Sequence, residues 1–446
     1  MVHPPPLGKP GGRLTTIALV NIPDLDIHRH VQETLTSLGP GMAYSRLLRL
    51  RTGPESEIPQ PSLMLECELC EKWEVLDTEP LTFRFHLRKG VLWHNVSPVN
   101  GREFIADDVI YSYNRLRTPT WPNAPLLQNL GTVEAEDQHT LKLALKRGFP
   151  DADFLLSLAD GHAKIVAREA VSLLLGLAQG PVVGTGPWIW KSTQEDVGSV
   201  LEKNPNYFEN DLPFVDQFVT RLIKGGEDSR LAAFATGAVD VYQAPPAIVP
   251  RLTNLNKEFT TFMSRRGGAG LILTMNVSAP PFDDLKVRKA VFKAIDPWNY
   301  VRQIWANQGH VSLGIPVTRP DWLLTRDEMR GTYFADPTRA NRLLTESGLP
   351  MPIKIELLVA DFGDVHLQQG AELYKDLSLV GFSPTLVKVN TFQYQDRVWR
   401  DKNYQIAIGE LPPTSSTNSF LLAILHSQSP QGNVVVHSDK AIDAMI

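Results

Sequence analysis

Residues 81–116 read LTFRFHLRKGVLWHNVSPVNGREFIADDVIYSYNRL. Leu81, Phe83, Phe85 and Leu87 alternate with Thr82, Arg84, His86 and Arg88, the period-two pattern of a half-buried strand. Lys89 and Gly90 break that strand, and Val91 and Trp93 open a second apolar stretch. From Asp107 the period lengthens, so that Val109, Ile110, Tyr113 and Leu116 share one face of a helix. Nothing in the run has the makings of a catalytic site; it reads as scaffold.

Outward from this run, the chain has 446 residues, enough for two or three domains and a substantial core. A hydrophobic fraction of 43% and a charged fraction of 21% are those of an ordinary globular protein. Net charge is only -5 and carries no long runs, which argues against a nucleic-acid partner or an anionic membrane surface. The longest apolar run, Val171 to Ala178, is far short of the ~20 residues of a spanning helix. The first residues, MVHPPPLGKPGGRL, hold no apolar segment of the secretory kind.

Further strands are expected over Leu14 to Val20 and over Thr140 to Lys146, the latter beside Val133 and Ala135. Val183-Gly184-Thr185-Gly186-Pro187-Trp188 marks a turn of special dihedrals that enters a strand. No Lys-Ser/Thr follows it, so a phosphate cradle is disfavoured. A helix is expected from a cap at Asp228 or Ser229 to Gly237, with Leu231 and Phe234 inward. Val239-Asp240-Val241 then resumes as strand. Arg265 to Gly270, with three glycines, is the best internal boundary, ahead of a strand at Leu271 to Met275. Later helices cover Val287 to Ile295 and start at Asp296-Pro297 and Asp336-Pro337, each with Asp as cap and Pro at the first turn. Cys67 and Cys70 are the only cysteines; they read as incidental thiols or a local disulfide, because a zinc site needs about four ligands and no second pair exists.

The order F-x-L-R-K-G-V-x-W-H, then a gap and A-D-D-V-x-Y-S, resembles the signature region of the family 5 extracellular solute-binding proteins, the peptide and nickel receptors of ATP-binding cassette importers. The likeness continues in order through Val183–Trp188, Asn204-Pro205-Asn206-Tyr207, the Arg230, Phe234, Gly237, Val239 and Asp240 set, and Pro280-Pro281-Phe282-Asp283. It spans about residues 11 to 425. One departure is Ile105, where the family has Thr: Ile105 supplies no acceptor for the first helical amides, worth about 1 kcal/mol, so another group must cap that helix.

The resemblance implies an α/β, bilobal periplasmic-binding-protein-like fold with an inserted subdomain in the first lobe. Lobe I would comprise 11–45 and 183–268, the inserted subdomain 46–182, and the second ligand-gripping lobe 269–446, truncated at its C-terminus. It implies a monomeric, non-enzymatic receptor, periplasmic or attached to the cell surface, with its signal segment lost upstream. Such a receptor captures a peptide or other small polar solute by lobe closure and delivers it to the permease of an ATP-binding cassette importer. No cofactor and no metal are expected. Ligand contacts are expected at His30 and Val31, in the loop after the first strand, and at Trp399, Glu410 and Leu411. Peptide-binding members have W-x-x-D in the late segment, with Asp on the ligand ammonium; neither register of Gly409 to Thr414 puts an Asp there. Glu410 would serve a cationic or hydroxylated group in its place, and Trp399 would either stack on the ligand or sit in the core. Two other classes compete. A cytoplasmic ligand-sensing module of a regulator would need a helix-turn-helix, and a bilobal hydrolase would need a nucleophile beside its base; no G-x-S-x-G or H-E-x-x-H pattern occurs.

Overall fold

The structure, a computed structural model, describes residues 9–22, 24–51, 65–76, 78–147, 154–174, 176–245, 248–252, 254–255, 259, 271–307, 309–315, 323–412, 417–429 and 433–446. The Gly-rich boundary at Arg265 to Gly270 lies outside the described residues. The chain divides after Gln243 into two compact units.

The first unit contains, among the described residues, strands β1 (Arg13–Ala18), β2 (Leu48–Leu50), β3 (Leu65–Cys67), β4 (Cys70–Leu76), β5 (Thr82–Leu87), β6 (Leu130–Asp137), β7 (Thr140–Leu145), β8 (Trp188–Gln194), β9 (Gly198–Lys203) and β10 (Gln217–Leu222). One sheet runs β1-β10-β9-β8, with β1 and β10 parallel and the other pairs antiparallel. A second, wholly antiparallel sheet runs β4-β5-β7-β6. The alternation in 81–88 holds from Phe83 on: Phe83, Phe85 and Leu87 are buried, and across β7 so are Leu141, Leu143 and Leu145, whereas Leu81 is only half-buried and Thr82 beside it is buried. Val133 and Ala135 pair with Leu143 and Leu141 as their spacing requires.

The helix Ala106–Leu116 lays Val109, Tyr113 and Leu116 into the same core. Its missing cap is replaced twice over. The backbone carbonyl of Gln138, in the β6–β7 turn, accepts from Ala106 N at 2.9 Å. Asp108 Oδ2 accepts from Ile105 N at 3.1 Å, half of a reciprocal capping arrangement. Asp108 also accepts from Trp93 Nε1 and from both terminal nitrogens of Arg102, whose guanidinium lies 5.5 Å over the Trp93 ring. Arg102 bonds Glu169 as well. The Trp-His of the opening run is thereby tied to its helix.

His94 ties that run to a distant turn. Its backbone N–H donates to Gly184 O at 2.8 Å, and its Nε2 lies 3.0 Å from Gly186 O. Gly184 and Gly186 have no positive φ, contrary to the special dihedrals expected of them. Their reason is space: a Cβ on Gly184 would stand 1.8 Å from Ala43 O, and one on Gly186 2.8 Å from it. A second correction concerns the helix Gly226–Ala235, whose cap is Gly225 in the left-handed region; Asp228 and Ser229 fall inside its first turn. Residues 239–241 contribute a single bridge, Thr16 to Val241, while Asp240 Oδ2 accepts from Thr15 N at 2.7 Å. Cys67 and Cys70 are joined by a disulfide.

The second unit is built on β11 (Ile272–Met275), β12 (Ile353–Ala360), β13 (Phe382–Val389) and β14 (Ile406–Gly409), in the order β11-β14-β12-β13. β12 is parallel to both neighbours and β11 is antiparallel to β14. The long helix Asp364–Val380 connects β12 to β13, so its Gly370 lies against Val359 on the sheet, where a Cβ would come within 2.6 Å. Asp284, Asp296 and Asp336 cap the helices Leu285–Ala294, Pro297–Gln303 and Pro337–Glu346 through their carboxylates.

Candidate functional site

In the first unit the segment Asp24–Gln32 leaves β1 and is fastened from below. Arg115, on the helix Ala106–Leu116, forks both oxygens of Asp26 at 2.9 and 2.5 Å and lies 4.7 Å over the Trp121 ring. Burial raises the Asp26 carboxyl, but the Arg115 bonds outweigh it and the net shift is downward. Asn123 Nδ2 donates to two carbonyls of the loop, His28 O and His30 O, both at 3.0 Å. His28 Nε2 meets Lys164 O at 2.8 Å; this ring is fully buried, which with the Arg115 charge pushes it down to about 4, so it is neutral at pH 7. Lys164, buried and donating to Thr36 O and Gly41 O, is lowered by burial to about 7.

Two of the expected contact residues sit on this loop. His30 is partly exposed, with Nε2 2.9 Å from Asp24 Oδ2, and Val31 beside it is partly exposed too. The net effect of the His30 bond is to lower Asp24 despite burial. The loop is therefore a rigid rim: the Asp24 and Asp26 carboxylates accept from the amides of Asp26 and His28, Arg115 grips Asp26, Asn123 donates to the carbonyls of His28 and His30, and the His30–Val31 edge stays partly exposed.

In the second unit the parallel strands β12 and β14 end on one edge of the sheet, the side on which open α/β sheets take ligands. Glu410 and Leu411 follow β14, and Asp361 and Phe362 follow β12. The helix Asp364–Val380 begins on that edge, and His366 lies in its first turn. Trp399, on the turn Gln395–Arg400, donates Nε1 to Glu410 O at 3.1 Å. Trp399, Glu410 and Leu411 are thus brought together. Trp399 is 5% exposed and stands edge-on to Tyr394, at 6.3 Å between centroids. Its indole holds the chain at Glu410 in place. The Glu410 side chain is half exposed, 3.8 Å from His366 Nε2. Burial pushes His366 down to about 4, against the pull of Asp361, so at pH 7 it offers Glu410 no formal counter-charge. Phe362 lies tilted against His366 at 5.3 Å between centroids and stands edge-on to Tyr394 at 5.7 Å.

Sequence reading missed His366, Phe362 and Tyr394. A lone His or aromatic in a helix start carries no spacing signal, and only strand order puts Asp361 beside Glu410. The stretch 413–416, where a family Asp would stand, lies outside the described residues. Among the described residues, no group of three His, Cys, Asp or Glu side chains is arranged to hold a metal ion.

A model of the bacterial extracellular solute-binding proteins, family 5 (middle), matches residues 65–433. Heme-binding protein A of Haemophilus influenzae is 26% identical, over 93% of this chain and 77% of that protein. The dipeptide-binding protein of Escherichia coli is also 26% identical, over 87% of this chain and 74% of its own length. Among solved structures, the ABC transporter-associated periplasmic binding protein DppA from Helicobacter pylori, in complex with peptide STSA, superposes with a TM-score of 0.79 at 20% identity, over 98% of this chain and 86% of that one. That likeness assigns the α/β fold to the bilobal periplasmic-binding-protein class.

Proposed function

The chain belongs to the family 5 bacterial extracellular solute-binding proteins, and from that premise we propose that it captures a short peptide outside the cytoplasm and passes it to the permease of an ATP-binding cassette importer. It is a binding protein and not an enzyme. The observation that carries the peptide reading is the second-unit edge, where a half-exposed carboxylate, Glu410, stands on a backbone fixed by Trp399. A carboxylate so placed suits an ammonium, and a peptide has one at its N-terminus. Relatives named for dipeptides support the same class. His30 and Val31 would supply contacts from the first unit and Leu411 an apolar one from the second. Capture would proceed by lobe closure, with the protein monomeric. The boundaries 11–45 with 183–268, 46–182 and 269–446 are proposed as its lobes and subdomain.

Thermal-shift screening tests the assignment with di-, tri- and tetrapeptides, haemin and mono- and disaccharides. Peptides should raise the melting temperature, by the equivalent of about 2.7 kcal/mol at 100 times the dissociation constant. A shift by haemin or a sugar, with none by any peptide, would overturn the peptide reading and leave the family unchanged.

A further inference from the structure

Cys67 ends β3 and Cys70 starts β4, so their link spans only Glu68 and Leu69. Hydrogen bonds hold this turn independently of the link. Glu68 N donates to Leu47 O at 3.0 Å and Leu69 N to Arg46 O at 3.1 Å. From the other side, Arg88 donates its Nε to Glu68 O at 2.7 Å and its backbone N–H to Leu69 O at 2.9 Å. Every backbone polar group inside the link is thus met, and the Glu68 carboxylate accepts from Arg46 Nε at 3.1 Å. Leu69 is fully buried in the core of the first unit. A link across so short a loop removes little chain entropy, and the turn is already fastened where the link would fasten it.

The two sulfurs stand in different surroundings. Cys67 is partly exposed, whereas Cys70 is fully buried. Cys70 Sγ lies 3.3 Å from Leu47 O. A disulfide sulfur has no hydrogen to give that carbonyl; a thiol has one. A carbonyl oxygen accepts from two donors, so Glu68 N keeps its bond when Cys70 makes one. Oxidised and reduced forms therefore fit the same backbone, and the buried sulfur has an acceptor that only its reduced form uses.

We propose that Cys67–Cys70 is a reversible dithiol–disulfide exchange site, reduced by an external dithiol that enters at Cys67. One sulfur of that dithiol, a thiolate once its proton has gone to solvent, attacks Cys67 Sγ. The Cys67–Cys70 bond breaks and Cys70 leaves with the electron pair. Cys70 takes a proton from solvent, and its S–H then donates to Leu47 O. The second sulfur of the dithiol, likewise deprotonated, attacks the first, and the mixed disulfide breaks to release Cys67, which is protonated in turn. The protein gains two electrons and two protons, and the dithiol departs as a disulfide. The first unit keeps its fold in both states. Neither the His30–Val31 edge nor Glu410 takes part, so the inference stands apart from the peptide reading.

Dithiothreitol is the probe. The native full chain is incubated with it, free thiols are trapped by alkylation and counted by mass spectrometry, and near-ultraviolet circular dichroism follows the same sample. Both thiols should appear at a rate within about a hundredfold of that in urea-unfolded protein, with the native spectrum kept. Slower reduction, or loss of the spectrum on reduction, overturns the inference. Single variants test the point of entry. The Cys67 thiol of Cys70→Ser should form its adduct with hydroxyethyl disulfide at least about tenfold faster than the Cys70 thiol of Cys67→Ser. A smaller or inverted ratio overturns entry at Cys67 and the inference with it. If either variant does not fold, the wild-type measurement decides alone.

Discussion

Asp108 concentrates more of the first unit's order than any sequence pattern around it announces. Its two oxygens take bonds from Trp93, Arg102 and Ile105 while the residue itself is 4% exposed. Asp108→Ala strands the indole N–H and the Ile105 amide and leaves Arg102 with Glu169 alone, so about 2–3 kcal/mol should be lost, measured by urea unfolding. A loss below about 1 kcal/mol would contradict this account. Histidine charge gives a second residue-scale expectation. His28 and His94 are pushed by burial to about 4 in the folded protein and return to about 6.5 when it unfolds. Between those values the unfolded chain holds more protons, so stability is present above pH 6.5 and drains as pH falls toward 4. Each adds a slope of up to about 1.4 kcal/mol per pH unit. Melting temperature followed from pH 7 to 4 checks this; a flat profile down to pH 4.5 would exclude both residues from the balance.

At the scale of elements, two glycines separate space from dihedral. Gly184 meets Ala43 O at 1.8 Å from an added Cβ, whereas Gly90, at φ 70°, has nothing within 4 Å. Gly184→Ala should therefore cost at least about 3 kcal/mol and Gly90→Ala about 1 kcal/mol, a contrast readable from chemical denaturation of both. The Cys67–Cys70 link closes a loop of only four residues, around Glu68, whose carboxylate bonds Arg46 and whose carbonyl accepts from Arg88. Replacing both cysteines by Ser should cost about 2 kcal/mol on the chain-entropy account, seen as a lower urea midpoint. Strands and helices of this kind were legible because period and capping are local: β5, β7 and the Asp-Pro helices stand where alternation and caps put them. The cap of Ala106–Leu116 was not legible, since its acceptor, Gln138, lies on another hairpin. The roles of Gly184 and Gly186 were legible as important but wrong in kind, because contact with Ala43 is a fact of tertiary packing.

For the whole molecule, the fold class followed from the order of many short motifs, each weak alone. The site followed less well. His30 and Val31 could be placed on a loop, and Trp399, Glu410 and Leu411 on one sheet edge, but the partners that decide their chemistry come from elements far off in sequence: Asn123 for the loop, His366 for the edge. Glu410→Gln should weaken binding of a free-amino dipeptide at least tenfold while changing the affinity of its N-acetylated form by less than threefold; calorimetric titration separates the two. Equal losses would mean that Glu410 acts on shape rather than on the ammonium.

The carbonyl of Gln138 that closes the first turn of Ala106–Leu116 also sets an order of events. The same β6–β7 turn sends His139 O to Leu87 N, so one corner finishes β5 and starts the helix. Neither the end of β5 nor the start of the helix is complete until residues some thirty to fifty positions later have come back to it, and loop closure has to precede the helix's full protection. In hydrogen-exchange labelling during refolding, the amides of Ala106 and Leu87 should gain protection together with those of β6 and β7, not ahead of them. Cut out as a peptide, the segment that identifies the fold would not keep its own shape.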